Sequence, residues 1–333
     1  MIKVLYTKPF FSADIAYIKK HIPGDVELIS PADYTSEEIA KVSGDVDMLF
    51  GGLITEEILE ASKKLKCIQV PWTGVDKLNF SLLKKHKVTV CNSHSNSGVV
   101  AEHAVALLFD AAKKLSFHDR YMRQGIWNRP STTNTSSITP FSKKISNSNI
   151  GIVGFGNIGK DIQQMLSGFN CNFKVFNRSL KKLTLTKTTF YKSSDILKEL
   201  GTLDFLFISV ALTEQTTEMV NASYFNAMKN DAILINISRG EVLDQTALFN
   251  ALINKDIAFA GIDTWYQYPN KETPVTFPSK ENQFETLDNI IMSPHRAGMV
   301  DDSFPHLDDA IENINRLYTN KPLINKVSLT NNY

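Results

Sequence analysis

The sequence has almost no excess of charge, because its 36 lysine and arginine residues nearly balance its 35 aspartate and glutamate residues, for a formal net charge of +1. Proteins that bind nucleic acid usually carry a basic patch or stripe, so this balance predicts no nucleic-acid partner. The chain also lacks any run of about 18 consecutive apolar residues, the length of a membrane-spanning helix. We therefore expect a globular protein that acts on small molecules and not at a membrane.

Cysteine is scarce as well, with three residues in the chain. Cys67, Cys91 and Cys171 are far apart and form no Cys-x-x-Cys pair, so we predict buried thiols in a reducing compartment and no metal site. The amino terminus begins at once with a strand-like pattern and lacks the apolar core of a signal peptide. These features predict a cytoplasmic protein.

Short apolar runs alternate with amphipathic helical stretches along most of the 333 residues. The alternation predicts an α/β fold with parallel sheets covered by helices, and the length fits two domains. A first series of strands is predicted at 2–6, 26–29, 47–50, 67–70 and 88–91. The second series has the six strands of a dinucleotide-binding fold, at 150–153, 173–176, 205–210, 232–237, 258–262 and 290–292.

Three other segments have distinct compositions. A helical spacing of apolar residues predicts one long helix over 99–123. The stretch 129–149 is rich in Ser, Thr, Asn and Pro, which predicts a surface loop or arm. A last helix is predicted near 301–318.

The most informative motif joins the first strand of the second series to the helix that follows it. The motif is Gly-x-Gly-x-x-Gly, formed by Gly154, Gly156 and Gly159. The first glycine permits a tight turn, the second lets the backbone approach a pyrophosphate, and the third allows the helix to pack closely on the strand. Asn157 and Ile158 begin the helix, whose N–H groups and dipole favour phosphate. We therefore predict a nicotinamide dinucleotide site.

The end of the next strand concerns the choice between NAD and NADP. An NAD site uses a carboxylate there to bind the ribose 2′-hydroxyl. Here the residues are Asn177, Arg178 and Ser179, followed by Lys181 and Lys182. A guanidinium matches the geometry of a 2′-phosphate, so we predict a preference for NADP, with NAD as the alternative.

Further motifs follow in order along the chain: LKCIQVPWTGVD at 65–76, VAEH at 100–103, NISRGEVLD at 236–244, GID at 261–263 and SPHRAG at 293–298. Together with the glycine motif, they resemble the D-isomer-specific 2-hydroxyacid dehydrogenases over nearly the whole chain, in the glyoxylate/hydroxypyruvate reductase-like branch.

The resemblance implies two Rossmann-like domains. Residues 1–98 and 299–333 would form the substrate domain, and residues 99–298 the dinucleotide-binding domain. The active site would lie in the cleft between the domains, a common place for ligands. The resemblance also implies a homodimer that forms through the long helix and the polar arm after it.

The reduction of a 2-oxo acid needs a group that holds the carboxylate, a group that polarises the carbonyl and a proton donor. Arg239 follows a buried strand, and its guanidinium can bind both kinds of oxygen. Histidine side chains in general titrate near neutral pH, so a histidine at position 295 could donate or accept a proton. The resemblance supports both assignments, with His295 as acid and base.

Other site residues follow from the same resemblance. One group of residues is expected to hold the substrate through backbone and side-chain atoms: Gly52, Thr73, Gly74, Val75 and Asn96. A second group is expected to line the cofactor groove, with Asp263 near the nicotinamide amide: Val210, Thr213, Ser238 and Asp263.

The chain departs from the family pattern at Tyr268. Most members carry a glutamate at this position, five residues after the equivalent of Asp263, where it pairs with the catalytic histidine. A tyrosine hydroxyl can hydrogen-bond to an imidazole but adds no negative charge at neutral pH. We therefore expect His295 to be protonated less readily than in typical members, so that reduction declines at a lower pH.

Two other kinds of function stay open at this point. Formate dehydrogenases of the same superfamily also place a neutral residue at this position, so an NAD-linked formate or phosphoglycerate dehydrogenase is one alternative. The other is a non-catalytic protein that senses dinucleotides, like the corepressors of this fold. Turnover of a 2-oxo acid distinguishes these possibilities.

Overall fold

A computed structural model describes residues 1–129, 142–179, 183–301 and 303–330. The chain divides into a first unit, Met1–Asn96 with Val300–Tyr333, and a second unit, Ser97–Met299. Lys181 and Lys182 lie outside the described residues, as does the part of the polar stretch from 130 to 141.

The first unit is built on a sheet of five parallel strands in the order β2-β1-β3-β4-β5, an order known from flavodoxin-like folds. Its strands are β1 (Lys3–Tyr6), β2 (Glu27–Ile29), β3 (Met48–Phe50), β4 (Cys67–Gln69) and β5 (Thr89–Cys91). The helices between them are α1 (Ser12–His21), α2 (Ser36–Lys41), α3 (Glu56–Ala61) and α4 (Phe80–His86).

The second unit begins with two helices, α5 (Ser97–Lys113) and α6 (Leu115–Met122). The prediction of one helix over 99–123 is therefore wrong. The two helices meet at Lys114, which has a left-handed backbone with φ of 60°. Its ammonium donates to the Ala111 carbonyl at 2.7 Å and lies 3.6 Å from the centre of the Phe259 ring. These contacts of a buried lysine fix a break that the apolar spacing on either side does not reveal.

Seven parallel strands form the sheet of the second unit, in the order β12-β11-β10-β9-β6-β7-β8. The first six in chain order follow the Rossmann arrangement, and β12 extends it beyond β11. The strands are β6 (Asn149–Val153), β7 (Asn172–Asn177), β8 (Thr188–Lys192), β9 (Phe205–Ile208), β10 (Ile233–Asn236), β11 (Phe259–Ile262) and β12 (Ile290–Met292). The helices between them are α7 (Asn157–Leu166), α8 (Ile196–Glu199), α9 (Ala222–Ala227) and α10 (Gln245–Asn254).

The sequence prediction of six strands missed β8. This strand lies at the edge of the sheet, where it pairs only with β7 among the described strands. Its five residues are polar or aromatic and none is buried. The apolar pattern that marks the inner strands is therefore weak in this segment.

Each sheet has an apolar core on both faces, because successive side chains of a strand point to opposite sides. In β9, Phe205 and Phe207 join one core, and Leu206 and Ile208 join the other. In the first unit, α11 (Pro305–Tyr318) packs on the face of the sheet that bears Val4 and Tyr6. Among the described residues, no helix is both long and apolar enough to cross a membrane.

All three cysteines are buried free thiols, as predicted. Cys67 and Cys91 lie on the adjacent strands β4 and β5, and burial raises the pKa of both thiols, that of Cys91 to about 11. Thiols in this state are poor nucleophiles.

Candidate active site

The glycine-rich turn follows β6 and takes its shape from the packing of the protein itself. Gly154 has φ of +91°, and a Cβ at this residue would lie 2.6 Å from the Ser209 carbonyl oxygen. A Cβ on Gly159 would lie 2.4 Å from the carbonyl oxygen of Gly154. Side chains are therefore excluded at both positions by contacts of the backbone.

Gly156 has a different environment, because a Cβ at this residue would meet no atom of the described residues within 4 Å. It is the N-cap of α7, and no side chain in the described part of the chain caps this helix. The exposed space and the uncapped first turn fit the pyrophosphate of a dinucleotide. By contrast, five other helices have N-cap side chains that accept a hydrogen bond from the first turn: Thr35, Thr55, Asn79, Asn221 and Asp244.

The predicted cofactor residues after β7 lie beside this turn. The Asn177 side chain accepts a hydrogen bond from the Phe155 backbone N–H at 3.2 Å, so it fixes the turn between the first two glycines. Arg178 and Ser179 are exposed at the carboxyl end of the strand. No carboxylate occupies these three positions, which are the ones that bind the ribose in NAD-specific sites.

Val210 and Thr213 follow β9, the strand next to β6. A Cβ on Gly154 would lie 2.9 Å from Cγ1 of Val210, so the valine packs against the glycine-rich turn. The Thr213 backbone N–H donates to the Thr216 hydroxyl oxygen at 2.8 Å, which closes a local turn. The structure thus places both residues at the same edge of the sheet as the glycines.

Arg239 lies in the segment 237–240 after β10, which we call the arginine turn. Its guanidinium is half-buried, and Nη1 donates to the Ser238 carbonyl oxygen at 2.8 Å. Gly240 closes the turn against the backbone of Trp265, where a Cβ would lie 2.5 Å from the Trp265 carbonyl. The turn is therefore packed directly against the chain that leads to Tyr268.

His295 lies in the segment 293–297 after β12, which we call the histidine loop. It is exposed and has a left-handed backbone with φ of 55°, a conformation that histidine adopts more often than most residues. The loop is tied to the buried carboxylate of Asp263, which accepts from the Ser293 hydroxyl and from the N–H groups of Arg296 at 2.9 Å and Ala297 at 3.1 Å.

Asp263 is held in its ionised form by these contacts. Burial acts to raise the pKa of this carboxyl, but the hydrogen bonds from His103, Ser293 and the loop backbone lower the pKa below its usual value. His103, on α5, has its Nε2 2.9 Å from the Ser293 hydroxyl oxygen and 3.5 Å from Oδ1 of Asp263. Asp263 thus acts in the structure as the anchor of the histidine loop.

Tyr268 contacts His295 of the histidine loop and Trp265, the residue against which the arginine turn packs. Its ring centre lies 5.5 Å from that of His295, and its hydroxyl oxygen accepts from the Trp265 N–H at 3.1 Å. Burial raises the pKa of Tyr268, although the hydrogen bond from Trp265 and the charge of Arg239 act in the opposite direction. The structure therefore brings Arg239, Tyr268 and His295 to one edge of the second sheet.

The predicted substrate residues lie in the first unit, at the carboxyl ends of its strands. Gly52 follows β3, and a Cβ there would lie 2.7 Å from the Trp72 indole. After β4, the Thr73 hydroxyl donates to the Ser93 carbonyl oxygen at 2.9 Å, and the Asn92 amide donates to the Thr73 carbonyl oxygen at 2.7 Å. Neutral groups thus make the two hydrogen bonds of Thr73, and the Lys8 ammonium lies 5.2 Å from the centre of the Trp72 ring in the same loop.

The remaining predicted substrate residues have varied surroundings. Gly74 is half-buried and Val75 is buried. Oδ1 of Asn96 is shielded from solvent without a hydrogen-bond partner in the described part of the chain. The substrate roles of all five residues, and the location of the active site in a cleft, stay predictions.

Sequence reasoning missed two polar residues that shape the candidate site. Asn236, the last residue of β10, is completely buried beneath the arginine turn, and Ser293 joins His103 to Asp263. Both belong to motifs that supported the family resemblance. The one sequence feature that distinguishes Asn236 is an amide that ends an otherwise apolar strand.

Comparison with known proteins gives concordant results. The sequence model of the D-isomer specific 2-hydroxyacid dehydrogenase NAD binding domain matches residues 105–297. Glyoxylate/hydroxypyruvate reductase HPR3 of Arabidopsis thaliana is 27% identical over 278 residues, 83% of this chain and 80% of the relative. A glyoxylate reductase of Thermococcus onnurineus is 30% identical over 302 residues, 88% of this chain and 85% of the relative.

A solved structure extends the likeness to the fold. NADPH-dependent glyoxylate/hydroxypyruvate reductase from Sinorhizobium meliloti, in complex with NADP and malonate, has a TM-score of 0.79 to this chain. The two are 22% identical, and the match covers 99% of this chain and 98% of the other. The prediction of parallel sheets flanked by helices is confirmed. From the family match and the extent of these alignments, the chain belongs to the D-isomer specific 2-hydroxyacid dehydrogenases, which are NAD(P)-dependent oxidoreductases.

Proposed function

We propose that this protein reduces a small 2-oxo acid, glyoxylate or hydroxypyruvate, to its D-2-hydroxy acid with NADPH as the preferred cofactor. The observation that carries the proposal is the convergence of Arg239, Tyr268 and His295 at the edge of the sheet that also bears the glycine-rich turn. Ligands of open α/β sheets bind at this edge. Both relatives named above are reductases of these substrates.

In the proposed reaction, a bound nicotinamide dinucleotide supplies the hydride that reaches the carbonyl carbon. Arg239 binds the substrate carboxylate and polarises the carbonyl, because a fixed guanidinium stabilises the negative charge that develops on oxygen. His295 donates a proton to that oxygen, which completes the hydroxyl group. In the reverse direction, the neutral imidazole accepts the proton.

The proposed preference for NADPH depends on the end of β7. Arg178 is exposed there, and the neighbouring positions hold an asparagine and a serine. A carboxylate at this site would repel the 2′-phosphate, whereas a guanidinium attracts it. The structural relative from Sinorhizobium meliloti is described as NADPH-dependent.

Substrate contacts from the first unit complete the proposal. Gly52 and the loop of Thr73, Gly74 and Val75 would offer backbone N–H groups to the carboxylate, and the Asn96 amide would face the substrate. We further propose a homodimer located in the cytoplasm, where the three free thiols stay reduced.

The test is the initial rate of NADPH and NADH oxidation with glyoxylate, hydroxypyruvate, pyruvate and phosphohydroxypyruvate. We expect fast NADPH oxidation with glyoxylate or hydroxypyruvate, and a loss of about 10²–10⁴-fold in His295→Ala, the usual contribution of a general acid. His21→Ala, which removes an exposed histidine of the first unit, is the matched control and should retain full activity.

Other outcomes would support a different function. Fastest turnover of phosphohydroxypyruvate would favour a phosphoglycerate dehydrogenase. Reduction of NAD⁺ by formate, without reduction of any 2-oxo acid, would favour a formate dehydrogenase. Tight binding of a dinucleotide without turnover of any of these compounds would favour a non-catalytic sensor.

A further inference from the structure

The arginine turn is held from below by one buried amide. Asn236 is completely inaccessible to solvent. Its Nδ2 donates to the Arg239 carbonyl oxygen at 3.0 Å and to the Thr264 hydroxyl oxygen at 3.3 Å. Its Oδ1 accepts from the backbone N–H of Ser238 at 3.1 Å and from the Ser238 hydroxyl at 2.6 Å. Both donor hydrogens and both acceptor positions of the amide are therefore used.

These four hydrogen bonds join two strand ends. Asn236 ends β10, and Thr264 follows β11, directly after the Asp263 that anchors the histidine loop. The ladder continues beyond the strands, because the N–H of Asp263 donates to the Asn236 carbonyl oxygen at 3.0 Å. The backbone that carries Arg239 is thus fixed to the same segment that fixes His295.

We propose that Asn236 is a positioning residue for the reaction, which sets the place of Arg239 through its donor side and that of Ser238 through its acceptor side. The inference rests on the proposed function, in which Arg239 binds the substrate carboxylate. A buried polar network that is fully satisfied holds one conformation, and a displacement of about 1 Å in a reacting group can cost about 100-fold in rate.

The test relies on the two separate roles of the Asn236 amide, whose Nδ2 donates hydrogen bonds and whose Oδ1 accepts them. Asn236→Asp has nearly the same shape and keeps an acceptor for Ser238, but its ionised side chain cannot donate to Arg239. We expect kcat/KM for the 2-oxo acid to fall by about 100-fold and the Kd of oxamate, a 2-oxo acid analogue, to rise. The Kd of NADPH, which depends on the glycine-rich turn and on Ser238, should stay close to that of the wild type.

A pH series adds a second readout. As the pH falls, the introduced carboxyl takes up a proton and regains a donor. The ratio of kcat/KM in Asn236→Asp to that in the wild type should therefore rise toward acid pH. A ratio that stays constant or falls would contradict a loss of the donor as the cause.

The matched control is Asn313→Asp, on α11 of the first unit. Asn313 is equally inaccessible, donates to the Gln69 side chain at 2.7 Å and to the Ile324 carbonyl oxygen at 3.2 Å, and accepts from the Ile324 N–H at 2.8 Å. This variant should lose stability like Asn236→Asp while retaining the wild-type Kd of oxamate. An equal rise of that Kd in both variants would reduce Asn236 to a general structural role and overturn the proposal.

If Asn236→Asp does not fold, Thr264→Val gives a milder change of the same network. It removes one acceptor of the Asn236 amide and should raise the KM of the 2-oxo acid by about fivefold, the effect of one hydrogen bond. An unchanged KM in folded Thr264→Val, or an unchanged Kd of oxamate in folded Asn236→Asp, overturns the proposal. Absence of turnover in the wild type would instead refute the proposed function.

Discussion

The two units contain sheets of the same kind, with every described pair of strands parallel, but the loops at their carboxyl ends differ in chemistry. In the first unit, the loop of Thr73 is held by a hydroxyl and an amide. In the second unit, the corresponding edge has a glycine-rich turn, an uncapped helix and the charged groups of Arg239 and Asp263.

In both units the topology brings the carboxyl ends of the strands to one edge of the sheet. The comparison indicates that the residues of the loops at that edge determine the chemistry. Neutral groups such as those that bind Thr73 can recognise a substrate, but they contribute little to a transition state in which charge develops. A fixed cation contributes most where that charge appears. We therefore assign binding contacts to the first edge and the chemistry to the second, and four predictions test this division.

The largest effect is expected for the charge of the arginine turn. Arg239→Met should lower kcat/KM by about 10³-fold, because it removes the group proposed to hold the carboxylate and the developing oxyanion. Thr73→Val, which breaks one neutral hydrogen bond of the first edge, should lower it by only about fivefold. Steady-state kinetics with glyoxylate measures kcat/KM of both variants. Similar losses in the two variants would contradict the assignment of binding to the first edge and of chemistry to the second.

The second prediction separates two glycines of one turn. Gly156→Ala should fold normally, since its φ of −76° suits any residue and its Cβ would meet no atom of the described ranges within 4 Å. The methyl group would occupy space for phosphate and weaken NADPH binding by about 10- to 100-fold, as overpacking usually costs about 1–3 kcal/mol.

Gly154→Ala is the counterpart of this variant. Its φ of +91° and the contact with the Ser209 carbonyl oxygen are incompatible with a side chain, so the free energy of unfolding should fall by about 2–3 kcal/mol. Fluorescence titration with NADPH and thermal unfolding distinguish the two effects. Normal NADPH affinity in Gly156→Ala would show that phosphate does not lie at this helix.

The contrast between these glycines also shows what a sequence reveals about the site. The glycine motif was predictable because it encodes backbone conformation and local space, which are properties of the residue itself. The assignment of Arg239 followed from its place after a buried strand, and that of His295 followed from the family resemblance. Their anchors did not, because the roles of Asn236 and Asp263 depend on partners far along the chain.

The same reasoning explains the errors in the predicted fold. Lys114 interrupts a helical pattern that continues on both sides, and the buried lysine with a left-handed backbone contacts the distant Phe259 ring. The edge strand β8 has few apolar residues because one of its sides is not covered by another described strand. Tertiary contacts decide both features.

The third prediction concerns the cofactor preference at the end of β7. Arg178→Ser removes the cation opposite the proposed 2′-phosphate, and the ratio of kcat/KM with NADPH to that with NADH should fall by about tenfold, the effect of one charge-assisted hydrogen bond at an exposed site. Arg123→Ser, at another exposed arginine of the second unit, is the control and should leave the ratio unchanged. An unchanged ratio in Arg178→Ser would show that Arg178 does not determine the cofactor preference.

The smallest change is expected from Tyr268, which lies beside His295. Burial raises the pKa of its hydroxyl despite the opposing effects of Trp265 and Arg239, so the tyrosine stays neutral throughout the range in which an imidazole titrates. In the proposed reaction His295 is the proton donor, so the rate of reduction should fall as the pH rises through the range in which one group, the imidazole, loses its proton.

Tyr268→Glu would place a carboxylate near that imidazole, since the ring centres of Tyr268 and His295 are 5.5 Å apart. A negative charge favours the imidazolium, so the alkaline decline of the reduction rate should move to higher pH by about one unit. Tyr268→Phe changes no charge and should leave the decline in place. Profiles of kcat/KM between about pH 5 and pH 10 resolve the shift. If the glutamate variant shows none, His295 does not supply the proton, and the chemistry assigned to the second edge must then depend on Arg239 and solvent.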